Sequence, residues 1–384
     1  MSWEKVKIGD VYKGLYDGPH ATPPSSDDGA VFLGISNITE SGHIDFSNIK
    51  YINENDLPKW TKRVTPRGGD IVFSYEATLN LYAIIPDGFW GCLGRRMALI
   101  RPDETKAHGK YLYYYFFSKE WRSTISSHTI TGATVDRIPI TKFPEFIISL
   151  PSMEIQHKIA NILSAYDALI ENNKKQIRLL EEAAQRLYKE WFVDLRFPGH
   201  EDVAIVDSVP KGWKKGILGD IAVFKRGKTI TKTQVKEGKV PVVAGGLEPA
   251  YYHNKANTVA PVITVSGSGA NAGFSRLYNI DIFASDCSFI DSETTPYLFF
   301  VYSFLKENKT SLDALQKGAA QPHVYAKDIN ALELVIPVED KLEAYCNCVS
   351  SYFEKIKILQ KQIEILSQAR DCLLPKLMSG EIEV

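Results

Sequence analysis

PSMEIQHKIANILSAYDALIENNKKQIRLLEEAAQRLYKEWF, residues 151–192, is the stretch that decides the fold. A proline opens it. Tyr166, Ile170, Asn173, Ile177, Leu180, Ala184, Leu187 and Trp191 then fall at alternating steps of four and three. That is the a/d spacing of a helix that buries one stripe against a single long partner. The partner is in the same chain. Pro337 opens a second such segment, in which Tyr352, Ile356, Leu359, Ile363, Leu366 and Leu373 repeat the spacing 186 residues on. The one polar seam position, Asn173, has the apolar Leu359 as its counterpart, and a lone seam asparagine fixes register at a cost in stability.

The repeat extends upstream. Tyr111-Leu112 matches Tyr297-Leu298, Gly132-Ala133 matches Gly318-Ala319, and Pro151 matches Pro337, all at the same offset. Further back the offset becomes 210, where Trp3, Gly9 and Asp10 match Trp213, Gly219 and Asp220, so the first copy carries 24 more residues. The chain is therefore a tandem duplication of a globular domain followed by a long helix.

Composition bounds the rest. A length of 384 residues suits two or three domains, and 44% hydrophobic with 24% charged residues is ordinary globular usage. The longest apolar runs, Tyr111–Phe117 and Tyr297–Val301, are too short to cross a bilayer, and Met1–Lys5 has no apolar signal core. The five cysteines are scattered and read as reduced thiols of a cytoplasmic protein. Cys346 and Cys348 point away from each other on a helix and cannot share a metal. A formal net charge of −1 argues against coating nucleic acid by bulk charge, while leaving room for local basic faces.

The pattern predicts an α+β chain with these segments: a first head, 1–151; a long helix, 152–197; a linker, 198–212; a second head, 213–337; and a second long helix with tail, 338–384. Val31–Ile35, Gly69–Phe73, Tyr82–Ile85 and Met97–Ile100 read as strands of the first head, with one aromatic helix over Lys110–Ser123. That helix's aromatics could stack bases, though a core helix is the plainer reading. Ser152 is the expected cap of the first long helix. In the second head the strands are Val240–Ala244, Val262–Ser266, Ile282–Ala284 and Leu332–Ile336, with an aromatic helix at Tyr297–Glu307. The second long helix is expected over Glu339–Leu374, stopping at Pro375. Fifteen linker residues, Phe197 to Lys211, reach at most about 50 Å, short of a ~60 Å helix. Antiparallel pairing removes that difficulty, and predicts a pseudo-two-fold coiled coil with one head near each end.

Catalytic signatures are missing. Ser266–Gly273 runs G-x-G-x-x-x-G without a βαβ context and reads as a strand followed by a glycine loop. There is no phosphate-loop lysine motif, no H-E-x-x-H, no G-x-S-x-G elbow and no amino-methyltransferase tetrad. Polar, aromatic and basic loops recur instead at matched places. The candidates for touching DNA bases or phosphates in the first head are Tyr16, His20, Thr22, Asn37, Arg63, Arg67, Ser74, Tyr75, Asn80, Arg95, Arg96 and Thr134. In the second they are Lys225, Arg226, Lys228, Thr229, Tyr252, His253, Ser266, Ser268, Asn271, Arg276, Lys317, Gln321, His323 and Tyr325.

Together these residues resemble the specificity subunit of a type I restriction–modification system. Trp3, Gly9 and Asp10 with Trp213, Gly219 and Asp220 open each copy in that family's manner. Gly318-Ala319-Ala320-Gln321-Pro322 resembles its Gly-x-x-Gln-Pro loop, and Ile148–Pro151 and Val335–Pro337 resemble its strand-and-proline approach to the long helices. The first copy departs at Gly132–Val135, where the family shows Gln-Pro, and the second helix lacks the Glu-Gln pair seen as Glu154 and Gln156.

The resemblance implies two tandem α/β target-recognition domains, each reading half of a split double-stranded DNA site. It implies docking of two methyltransferase subunits, with an ATP-driven restriction subunit as a further partner and no membrane. S-adenosylmethionine and ATP with magnesium then belong to those partners, and this chain has no cofactor, metal or catalytic residue of its own. The other reading is a coiled-coil scaffold whose two heads bind protein or glycan.

Overall fold

The computed structural model describes residues 3–131, 135–318 and 321–384. The first head contributes β1 (Glu4–Lys7), β2 (Tyr12–Asp17), β3 (Ala30–Leu33), β4 (Lys50–Ile52), helix α1 (Leu57–Trp60), β5 (Ile71–Ser74), β6 (Tyr82–Ile84), β7 (Gly91–Leu93) and β8 (Met97–Pro102). Helices α2 (Gly109–Tyr115) and α3 (Lys119–His128), strand β9 (Ile147–Leu150) and the long helix α4 (Met153–Tyr188) follow. A hairpin of β10 (Ile205–Val206) and β11 (Val209–Pro210) precedes β12 (Lys214–Ile217), β13 (Lys225–Arg226), β14 (Val240–Val243), β15 (Tyr251–His253), β16 (Val262–Ser266), β17 (Ser275–Tyr278), β18 (Phe283–Ala284) and β19 (Cys287–Asp291). The chain closes with α5 (Leu298–Glu307), α6 (Lys309–Ala314), α7 (Ala326–Asn330), β20 (Glu333–Ile336) and α8 (Glu339–Ser379).

The chain forms two compact units, one of residues up to Glu171 with Glu364–Val384, the other of Asn172–Ile363. The first holds sheets β2-β8-β5-β6 and β4-β3-β7 and the pair β1-β9; the second repeats them as β13-β19-β16-β17, β15-β14-β18 and β12-β20. Even the mixed pairing recurs: β3 runs antiparallel to β4 and parallel to β7, as β14 does to β15 and β18. The first copy's extra residues fall mostly beside β4. Residues 34–49 and 53–70 connect it where the second copy uses only 244–250 and 254–261.

Within each unit the long helices run antiparallel. In the first, Asp167 meets Arg370, while Ile159 and Leu163 share a core with Leu377 and Met378. In the second, Asn173 meets Gln362, while the Tyr345 hydroxyl donates to the Ala184 carbonyl. The buried stripe of α8 there is Leu342, Tyr345, Val349, Phe353, Ile356 and Leu359, so Phe353 is buried and its neighbour Tyr352 only partly so. Of the remaining seam positions, Ile170 is buried, whereas Tyr166, Ile177, Leu180, Leu187, Ile363, Leu366 and Leu373 are half-buried.

Several expectations are corrected. The aromatic helix of the first head is two helices, because the Ser118 side chain accepts from Trp121 N at 3.1 Å and caps a new start. The break lets Trp121 turn inward, where it is fully buried with Phe116, Phe143 and Phe146, and its indole donates to the Tyr82 hydroxyl at 2.9 Å. The aromatic cluster is therefore core.

Helix α4 ends in a π turn over Lys189–Val193, before residue 197. Helix α8 continues through Pro375 to Ser379. An interior proline costs about 3 kcal/mol. Burying Leu377 and Met378 offsets this at roughly 1.5–3 kcal/mol each. Gly380, at φ 71°, ends the helix. The linker is not an open tether, since Phe197 is buried with its ring 4.8 Å from Trp213. Asn173 faces a polar group after all: its amide donates to Gln362 Oε1 at 3.3 Å.

Candidate nucleic-acid interface

The antiparallel order β2-β8-β5 brings three chain segments to one end of the first head's larger sheet: the end of β2, the end of β5 and the start of β8. Asp17 lies beside Ala98, and Ser74 beside Met97. Arg96 precedes that start at φ 71°, and its Nε lies 3.0 Å from Glu76 Oε1. The Nε–H points off that line, so the contact is an ion pair rather than a hydrogen bond. Asp17 forms an ion pair with Arg63 Nη1 at 2.5 Å and a hydrogen bond with His20 Nε2 at 3.0 Å. Segment 135–138 docks on the same end, with Ile138 N donating to Tyr75 O and Ala77 N to Asp136 O. Ser74 and Tyr75 are 1% and 6% exposed, and neither hydroxyl has a hydrogen-bond partner among the described residues. Burial pushes the Tyr75 phenol up, reinforced by Asp17 and Glu76 and opposed by Arg63 and Arg96.

Beside this end the first head carries a pocket of about 370 Å³ lined by Asp17, His20, Lys59, Trp60, Lys62 and Arg63. Its lysines come from α1 and the turn after it, inside the longer β4–β5 connection. A guanidinium and two ammonium groups beside one carboxylate make a local basic face that the net charge of −1 conceals.

The second unit builds the same end from different residues. Arg226 ends β13 opposite Ser288, Ser266 ends β16 opposite Cys287, and Asp286 precedes β19. Asp286 takes the Ser268 hydroxyl and, at 3.5 Å, Arg226 Nη2. Val324 N donates to Gly267 O, as Ile138 does in the first unit. His323 and Tyr325 stack there with rings 6.1 Å apart, and Lys317 pairs with Asp328 at 2.8 Å. Gln321, Lys225, Lys228 and Thr229 are exposed.

The remaining candidates sort by contact. His20, Thr22 and Arg95 are exposed in the first head. Asn37 is buried, accepting from Gly34 N and donating to the Asp45 and Asn48 carbonyls, so its amide holds a loop and is not offered to a ligand. Arg67 stands at the opposite end of the sheet, next to the Asp70–Arg101 pair, and Tyr16 lies beneath Arg101 at 5.8 Å. Asn80 accepts from the Tyr82 hydroxyl and closes the β5–β6 hairpin. Thr134 lies outside the described residues.

In the second head His253 is buried, accepting Lys236 N at 3.0 Å, and the Ser266 hydroxyl donates to Gly245 O. Arg276 donates to Leu247 O and covers Tyr278, Asn271 lies half-buried in the β16–β17 hairpin, and Tyr252 is exposed. The sequence candidates did not include the carboxylates Asp17, Glu76 and Asp286, nor Arg137, whose backbone forms a β-bridge with that of Glu76. Their pairing depends on strand order, which no local pattern carries.

Each unit also has a cleft between its aromatic helix and the long helices. That of the first is about 500 Å³, lined by Tyr113, Tyr114, Phe117, Asp167, Arg370 and Leu374. That of the second, about 280 Å³, is lined by Gln185, Tyr302, Ser303 and Phe353. Among the described residues no three His, Cys, Asp or Glu side chains gather as a metal set, and no helix is long and apolar enough to cross a membrane.

The duplicated head thus repeats one sheet end that carries guanidinium and carboxylate groups in both copies. The family model for the type I restriction modification DNA specificity domain matches twice, over residues 2–182 and 210–368. The type I restriction enzyme MjaIX specificity subunit of Methanocaldococcus jannaschii is 28% identical, covering 87% of this chain and 82% of that protein. The type I restriction enzyme HindI specificity subunit of Haemophilus influenzae is 21% identical over 99% of both. The crystal structure of a type I restriction–modification S subunit from M. genitalium has the same fold, at TM-score 0.60 and 18% identity over 98% of this chain and 96% of that one. The chain belongs to the type I restriction–modification DNA specificity family. It is a DNA-recognition subunit of that class and not an enzyme.

Proposed function

We propose that each unit reads one half of a split double-stranded DNA target, and that the antiparallel long helices set the distance between the halves. The observation that carries this reading is the strand-for-strand repetition of the sheet that presents a polar, basic end in both units. On this reading two methyltransferase subunits dock against the long helices and adjoining head surfaces, supported by the clefts at matched places. Those subunits bind S-adenosylmethionine, and a restriction subunit using ATP and magnesium completes the complex. Partner subunits then supply much of the grip on DNA phosphates, in keeping with the chain's net charge of −1.

The spacing test adds one heptad after Ile177 and one after Ile363, lengthening the coil by roughly 10 Å and preserving its apolar stripe. That is about three base pairs, which turn the second half-site by roughly 100°. The variant complex should keep both half-site sequences and either select a longer spacer with weaker affinity or lose two-part binding. Undiminished binding at the original spacer would show that the helices do not set the distance.

A further inference from the structure

The matched sheet ends of the two units carry inverted charge. Strand register places Asp17 and Arg226 at the same position: each ends its strand, opposite Ala98 in one unit and Ser288 in the other. It likewise matches Arg96 with Asp286, each immediately before the central strand, since Ser74 lies beside Met97 and Ser266 beside Cys287. The first unit thus has carboxylate then guanidinium where the second has guanidinium then carboxylate. The scaffold between them is the same, so burial does not dictate the exchange.

Three further observations mark this end of the first unit as built for a ligand. Of the six non-glycine residues with positive φ among the described residues, three gather there: Ala77 at 72°, Asn80 at 63° and Arg96 at 71°. The second unit keeps the matched hairpin bends with glycine, Gly269 at 77° and Gly273 at 86°, so the first unit holds the shape with residues that strain it. The Ser74 and Tyr75 hydroxyls, on residues more than nine-tenths buried, have no hydrogen-bond partner among the described residues. The Arg96 guanidinium pairs with Glu76 through Nε, and among the described residues its Nη1 and Nη2 make no hydrogen bond. In the second unit Asp286 is held by the Ser268 hydroxyl and itself holds Arg226 loosely, at 3.5 Å.

Resting on the reading of two DNA-binding units, we propose that Arg96 and Arg226 are the specificity-determining residues of the two half-sites, each reading a guanine, with Glu76 and Asp286 as their positioning residues. A guanidinium donates two parallel hydrogen bonds to guanine O6 and N7, an arrangement no other base offers. A carboxylate that fixes the guanidinium's orientation makes the choice sharper. Because Arg96 projects from the start of the central strand and Arg226 from the end of its neighbour, the two guanines occupy different positions within their half-sites.

The test selects a randomised duplex library on the full-length chain co-purified with its methyltransferase partner, and sequences the bound fraction. The wild type should recover a two-part motif with a G·C pair in each half. Arg96→Gly should lower preference at one G·C position of one half by about 5- to 150-fold and leave the other half unchanged. It should not lower the melting temperature, because glycine relieves the positive φ. Glu76→Gln should relax that same position, and Arg226→Lys, which keeps the charge, should relax one position in the other half only. A half-site lacking any G·C pair would overturn the assignment. So would an unchanged motif in Arg96→Gly, and a lowered melting temperature with an intact motif would assign Arg96 to loop structure. If the wild type recovers no two-part motif at all, the reading of two DNA-binding units falls first and takes this assignment with it.

Discussion

Tyr114, Asp167 and Arg370 form a polar set between the head and the long helices of the first unit. Arg370 Nη1 lies 2.6 Å from Asp167 Oδ1, and the Tyr114 hydroxyl donates to Asp167 Oδ2 at 2.5 Å. The two charged side chains are only 14% and 16% exposed. The duplication has already replaced this set. At the 186-residue offset Tyr114 becomes Phe300, Asp167 becomes Phe353 and Arg370 becomes Ala184, all three buried in the second unit's core.

Arg370→Ala alone strands the Asp167 carboxylate in a site that keeps only the Tyr114 hydroxyl, at a cost of about 3 kcal/mol, the lower end for breaking a buried pair. Tyr114→Phe alone removes one hydrogen bond to a charged group, roughly 1.5–3 kcal/mol. The triple variant Tyr114→Phe, Asp167→Phe, Arg370→Ala removes every member together, and the adjoining cleft of about 500 Å³ has room for the new ring. It should return to within ~1–2 kcal/mol of wild type. Hydrogen exchange of peptides from 153–171 and 364–379 reads the opening energy of this unit directly. A triple variant no more stable than Arg370→Ala would refute the argument that the polar set contributes chiefly by neutralising its own buried charges.

Relieving backbone strain gives a second test: Ala77→Gly should stabilise the first unit by about 0.5–1 kcal/mol and Gly269→Ala should destabilise the second by about 1 kcal/mol, read by denaturant unfolding. Burial pushes the Cys92 and Cys287 thiols up to about 12 and Cys346 up to about 11, whereas Cys348 and Cys372 are exposed. A thiol reagent at pH 8 should therefore label two cysteines fast in the native chain and all five in denaturant. Burial also pushes the His108 imidazole below its ordinary value of 6.5, reinforced by His157 and Lys110 and opposed by Glu104. The unfolded chain then binds more protons here than the folded one as pH falls below about 6.5, so His108 should contribute a loss of stability between pH 7 and 5.5. Urea midpoints of His108→Gln should be flatter across that window than those of the wild type.

The duplication, the two long helices and the proline before each were legible in the chain, because periodicity and repetition are written in residue order. Antiparallel pairing followed from the reach of the linker, a matter of bond lengths. The short central strands were also visible as apolar runs, since Ile71–Ser74 and Val262–Ser266 are buried on both faces and need no partner to be recognised. What sequence could not show is which side chains share a place. Asp17, Glu76 and Arg96 are separated by up to 79 residues and meet only because β2, β8 and β5 are neighbours in one sheet. The same order moved Arg67 to the far end of that sheet and turned Asn37, Ser266 and His253 inward, although their residue types suit a binding loop. Helix ends followed the same rule: Ser118 broke a continuous aromatic run, and Pro375 failed to stop α8 because Leu377 and Met378 had a core to enter. Local propensity and spacing act through neighbours along the chain, whereas burial and charge pairing act through neighbours in space, and only the folded sheet order supplies those.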